Sequence, residues 1–80
     1  MKKVEYFGAE WCSACKVVKP IVESLENVGK EIIDVEKETD RAVSLGIRSI
    51  PVVRILNEQG DELHRVVGKT TKEDLQRLIF

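Results

Sequence analysis

The stretch Trp11-Cys12-Ser13-Ala14-Cys15 holds both cysteines of the chain. It follows the short apolar, aromatic run Val4-Glu5-Tyr6-Phe7 and precedes apolar residues at helical spacing. That places the pair where a strand gives way to a helix. Two thiols three residues apart on a first helical turn are close enough to bridge. The unpaired backbone N–H groups and positive dipole end there favour a thiolate. Cysteines in this spacing often have a lowered pKa. The pattern suits reversible dithiol–disulfide chemistry. Cys12, nearer the helix terminus, is the expected nucleophile, and Cys15, one turn in, the expected resolving thiol. Trp11 is expected to flank the pair on its solvent side, and Lys16 to add positive charge.

Working outward, residues 4–7 read as a buried strand and 8–10 as a loop. A helix is predicted over residues 12–27, because Val17, Val18, Ile21, Val22, Leu25 and Val28 recur at three-four spacing. Pro20 should kink it, and Gly29 should stop it. A second strand follows at 31–35. A short helix is expected over 39–45, capped by Thr39 at its start and Gly46 at its end. Residues 52–56 and 63–67 read as strands joined through the turn at 57–61, a hairpin. Thr70 and Glu73 fit a capping box for a last helix that buries Leu75, Leu78 and Ile79. The order is β-α-β-α-β-β-α. A helical crossover makes the first two strands parallel, and the hairpin adds an antiparallel pair. The fold class is α/β: a mixed four-stranded sheet flanked by three helices, with residues 1–80 as one domain.

Composition narrows the function. Thirteen basic and 14 acidic residues give a net charge of −1, and the signs are interspersed. Nothing here draws nucleic acid. The opening Met1-Lys2-Lys3 lacks the apolar run a signal peptide needs, because Glu5 and Glu10 interrupt it. No stretch approaches the roughly 18 apolar residues of a membrane helix. The expected location is the cytoplasm, where such a cysteine pair means redox chemistry or metal. A structural zinc ion needs about four ligands, and beyond the pair the chain offers only His64, on a distant strand. A solvent-facing or half-buried strand histidine is the simpler reading of that residue.

A second constellation is Arg48-Ser49-Ile50-Pro51-Val52, with a proline at a strand start. Here the chain resembles thioredoxin. The matching segments are Ala9-Glu10-Trp11-Cys12, Cys15-Lys16, Pro20, Gly46-Ile47-Arg48-Ser49-Ile50-Pro51 and Val67-Gly68, at thioredoxin-like spacing. The resemblance implies a cis Pro51 facing the cysteines. It also implies a substrate groove of Trp11, Ile50, Pro51 and Gly68, in which the backbone of Ile50 pairs with a bound peptide.

Three departures stand out. The family's first strand and helix have no counterpart here, which gives a trimmed, glutaredoxin-sized core. The usual Gly-Pro between the cysteines is Ser13-Ala14, so these two residues are expected to tune the potential. The family's buried aspartate six residues before the first cysteine is Tyr6, which leaves water, Glu10 or the Tyr6 hydroxyl as general base. Arg54, inside an apolar strand, is expected to reach water along its stem from a poorly covered sheet face.

The sequence thus implies a small thioredoxin-like thiol–disulfide oxidoreductase. It would reduce protein disulfides through Cys12 and Cys15, need no cofactor or metal, and be recharged by a thioredoxin-reductase-type donor. It is expected to act as a monomer without nucleic acid or membrane. The alternatives are a glutathione-dependent glutaredoxin and, from another class, a metal or iron–sulfur module shared by two chains. Gly68 followed by Lys69-Thr70-Thr71 lacks the paired glycines and aspartate expected of a glutathione site.

Overall fold

Two short apolar blocks become the middle of the sheet in the computed structural model, which describes residues 1–80. They are β1 (Lys3–Gly8) and β3 (Val52–Leu56), paired antiparallel from Lys3–Leu56 to Phe7–Val52. β2 (Gly29–Asp34) lies parallel to β1 on one side, and β4 (Glu62–Val67) lies antiparallel to β3 on the other. The strand order is β2-β1-β3-β4. Three helices complete the chain: α1 (Ser13–Glu23), α2 (Thr39–Ser44) and α3 (Lys72–Ile79). This is the mixed four-stranded sheet and three helices that the sequence implied.

Side chains alternate across a strand, so the sheet has two distinct faces. Val4, Tyr6, Val53 and Ile55 pack with Cys15, Val18 and Val22 of α1 and with Leu75 and Ile79 of α3. On the other face Phe7, Ile33 and Val52 form a smaller apolar cluster with Val35, Leu45 and Ile47. Beside it sits Glu5, only 4% exposed. Its carboxylate accepts from Arg54 Nη1 at 2.5 Å and from Arg41 Nη2 at 2.8 Å. Arg41 also reaches Glu31 at 2.7 Å, and Arg54 reaches Glu62 at 2.7 Å. Lys3 and Arg65 close the ends of the chain of charges on Glu31 and Glu62.

Arg54 is therefore buried, not extended into water as expected. Its partners come from β1 and β4, and they hold its guanidinium against the sheet. Hydrogen bonds from Arg41, then Lys3, pull the Glu31 carboxyl down to about 2. The bond to Glu31 in turn raises Arg41. Glu62 is lowered by Arg65 first and Arg54 after the cost of burial.

Local ends also differ from expectation. α1 runs through exposed Pro20 and stops at Glu23, not near Asn27. Leu25 and Val28 are still buried, but on a connecting segment that turns at Asn27, φ 61°. Gly29 does not stop a helix; it starts β2. Glu38 precedes α2, and the Thr39 hydroxyl donates back to Val35 O at 3.1 Å instead of capping. Gly46 follows α2 at φ 70°, as a C-terminal glycine should. The cap of α3 is Thr71, not Thr70; its hydroxyl accepts from the Asp74 N–H at 3.1 Å. Such a cap contributes about 1 kcal/mol.

Candidate active site

Cys12 is the N-cap of α1, with extended φ −87° and ψ 114°. Its sulfur takes the place a serine or aspartate oxygen usually fills and accepts from the Cys15 N–H at 3.1 Å. An anionic sulfur there is stabilised by that donor and by the helix dipole. The two sulfurs are joined as a disulfide, with Cα atoms 5.2 Å apart. Cys12 is 8% exposed and Cys15 only 2%. The outer sulfur is the one a partner reaches first.

The loop before β3 brings the second constellation to the same place. The Ile50 carbonyl oxygen lies 3.9 Å from Cys12 Sγ. The Ile50–Pro51 peptide bond is cis. The Gly68 N–H donates to the Pro51 carbonyl at 2.8 Å, which ties the end of β4 to this loop. Gly68 has φ 89°, a backbone conformation that favours glycine, with open space where a side chain would project. Cys12, Ile50, Pro51 and Gly68 thus share one rim.

Trp11 is 69% exposed, and its indole N–H donates to Glu36 at 2.8 Å. The indole is tethered across the rim, not loose in solvent. Ser13 and Lys16 are exposed, and Ala14 is half-buried against the larger core. His64 is exposed on β4, opposite Ile55. No group of three or more His, Cys, Asp or Glu side chains stands close enough to hold a metal ion.

Tyr6 lies under the pair. Its hydroxyl is 3.5 Å from the Cys15 carbonyl oxygen. Burial, then the charges of Glu23 and Asp34, raises its pKa. That is the wrong direction for a base, so the Tyr6 hydroxyl keeps its proton. Glu36 and Asp34 were missed in the sequence. Both follow from the parallel pairing of β1 with β2, which sets Gly8 opposite Asp34; nothing local to either residue signals it.

The sheet order, a disulfide at a helix start and a cis proline beside it define a class: thiol–disulfide oxidoreductases built on one small α/β domain. The family model described as Thioredoxin matches residues 2–80. Thioredoxin of Chlamydia caviae is 40% identical over 79 residues, covering 91% of this chain and 74% of that protein. Thioredoxin of Bacillus subtilis is 35% identical over 78 residues, with the same coverage. Among solved structures, a mutant thioredoxin from Halobacterium salinarum superimposes with a TM-score of 0.90 at 27% identity. That match covers 98% of this chain and 71% of the other. Fasciola hepatica thioredoxin gives 0.85 at 26% identity, covering 98% and 77%. The chain belongs to the thioredoxin family, and it is a thiol–disulfide oxidoreductase.

Proposed function

We propose that the chain reduces disulfides in protein substrates, with Cys12 as nucleophile and Cys15 as resolving thiol. The observation that carries this is the environment of Cys12 Sγ. One side faces the Cys15 N–H at 3.1 Å, and another faces the Ile50 carbonyl at 3.9 Å. A strand-like substrate segment laid against Ile50 brings its own sulfur to the exposed cysteine. Trp11, Ile50, Pro51 and Gly68 are the surfaces it meets. Ser13, Ala14 and Lys16 set the electrostatics of the thiolate. The chemistry runs on the cysteine pair itself.

The electron donor in this reading is a thioredoxin-reductase-type enzyme, the working form is a monomer, and the location is the cytoplasm. Turnover of insulin should be measured with thioredoxin reductase plus NADPH and, in parallel, with glutathione plus its reductase. The first arm should sustain turnover. Turnover only in the second arm would replace this reading with a glutaredoxin. Cys15→Ser should accumulate a mixed disulfide with substrate, and Cys12→Ser should trap none; trapping through Cys15 would reverse the assignment.

A further inference from the structure

Cys15 must lose a proton when it resolves a mixed disulfide, yet it is 2% exposed. The groove in front of the pair is filled by substrate at that moment. Behind Cys15 lies a pocket of about 430 Å³. Cys15 and buried Tyr6 and Gly8 form its inner end, and Asp34 stands on its β2 side. Exposed Glu10, Lys16, Lys19 and Lys37 surround its mouth. The pocket therefore runs from solvent to the back of the resolving cysteine.

Its inner end holds an underused donor. Tyr6 is 3% exposed, and its hydroxyl lies over Gly8, where any added methyl group would collide with it. Its one protein acceptor is the Cys15 carbonyl at 3.5 Å, beyond the roughly 2.5–3.0 Å of a good O–H···O bond. A water in the pocket would satisfy that donor. Asp34 uses Oδ1 to accept from the Glu36 N–H at 2.8 Å. A carboxylate has a second oxygen and further lone pairs to offer.

We propose that this pocket is the proton exit for Cys15, with Asp34 as the acceptor and the Tyr6 hydroxyl holding the water between them. The proposal rests on the oxidoreductase reading and deepens it. In the step, the Cys15 thiol gives its proton through the water to Asp34. The Cys15 sulfur forms a bond to Cys12 Sγ as the Cys12–substrate S–S bond breaks. The substrate sulfur leaves with the bonding pair as a thiolate and later takes up a proton. The protein ends oxidised and the substrate reduced. Lys16, Lys19 and Lys37 line the same pocket as the carboxylate. Glu10 on the loop and Glu23 at the end of α1 oppose a second negative charge, and Tyr6 stays protonated. Glu10 is the rival acceptor.

Stopped-flow Trp11 fluorescence of the reduced chain, mixed with a disulfide peptide, separates the two steps. The second-order limb reports attack by Cys12, and the plateau at saturating peptide reports resolution by Cys15. Asp34→Asn keeps an oxygen for the Glu36 N–H. It should lower the plateau about a hundredfold at pH 7, the low side of what positioned proton acceptors contribute. The deficit should shrink toward about pH 9, where the thiol ionises unaided. The second-order constant should change less than about twofold, because that limb precedes the proton transfer. Tyr6→Phe should lower the plateau less, and Glu10→Gln should leave it unchanged. A wild-type plateau in Asp34→Asn, or a loss that appears in Glu10→Gln instead, would overturn the proposal. Should Asp34→Asn fail to melt cooperatively, Asp34→Ser is judged by the same criteria. A wild-type chain with no second-order phase would strike the oxidoreductase reading itself.

Discussion

Val4, Tyr6, Val53 and Ile55 point to one side of the two central strands, and Glu5, Phe7, Arg54 and Leu56 point to the other. The first side is closed by α1 and α3 over apolar side chains. The second, under α2, joins a small apolar cluster to a chain of charges through Glu5, Arg41, Arg54, Glu31 and Glu62. Burial of a large aliphatic side chain contributes about 1.5–3 kcal/mol wherever it occurs. A buried ion pair behaves otherwise: it adds little over an apolar replacement, but it is costly to break in half. The same strands are thus held by a forgiving face and an unforgiving one. Both cysteines and Tyr6 belong to the forgiving face.

The sharpest way to break this contrast is Glu5→Ala. It removes the carboxylate that buried Arg54 shares with half-exposed Arg41, leaving Arg54 with Glu62 alone, and a loss of about 3–5 kcal/mol is expected. Replacing Glu5 and Arg54 together by leucine should recover most of it. Urea unfolding of the single and double variants decides; a double variant no better than the single would mean that the pair is a net stabiliser.

Next comes Leu25→Ala, at a fully buried position on the segment after α1. About 3 kcal/mol is expected from lost transfer energy and the cavity left behind. The midpoint should fall with little change in slope. A loss under about 1 kcal/mol would show that the loop closes over the gap.

A smaller effect is expected at the site. Replacing Ser13-Ala14 by Gly-Pro removes a hydroxyl and a backbone donor near Cys12, so the thiolate is less stabilised and the protein more reducing. The shift should be on the order of 30 mV, a tenfold change in the equilibrium. Equilibration against a glutathione buffer measures it, and an unchanged or raised potential refutes it. Stability of the charged face should not respond.

The smallest effect concerns pH. Folding depresses the carboxyl of Glu31 to about 2 from an ordinary 4.5. Its contribution is therefore present above about pH 4.5 and lost as pH falls through about 2. The Glu31 side chain is 35% exposed, so solvent screens the pair and under about 1 kcal/mol is at stake. Glu62 is shifted in the same direction and adds to the trend. Thermal melts from pH 6 to 2 should show a decline that is shallower in Glu31→Gln; parallel curves would remove Glu31 from the explanation.

The apolar face was legible in the sequence because its signals are local. Strand alternation, the cysteine spacing and Pro51 each lie within a few residues. Periodicity at Leu25 and Val28 marks which side faces the core but does not require a helical backbone, and α1 ends at Glu23. The charged face was not legible. Arg54 reads as an interruption until Glu5, 49 residues earlier, is placed beside it. The same holds for Trp11 and Glu36, which meet only because β1 and β2 are neighbours. The shift from Thr70 to Thr71 has a simpler cause: two adjacent threonines offer the same hydroxyl, and an acidic residue stands three positions on from each.

The seam between β1 and β3 also governs when the site comes into being. On one side of it, β1, α1 and β2 are contiguous in the chain and carry both thiols. On the other, β3, β4 and α3 are contiguous and carry Pro51 and Gly68. The hairpin turn at 57–61 is locally bonded, with Asn57 accepting from the Gln59 and Asp61 N–H groups. Pairing Phe7 with Val52 instead closes a long loop at an entropic cost. Each half can gather its own local structure, but the thiols and their peptide-binding rim meet only when the halves dock. During refolding, reactivity of the thiols toward a small alkylating reagent is expected to lose its unfolded character first. Capacity to reduce a peptide disulfide should arrive with global docking, so enzymatic competence is a late event in the life of the chain.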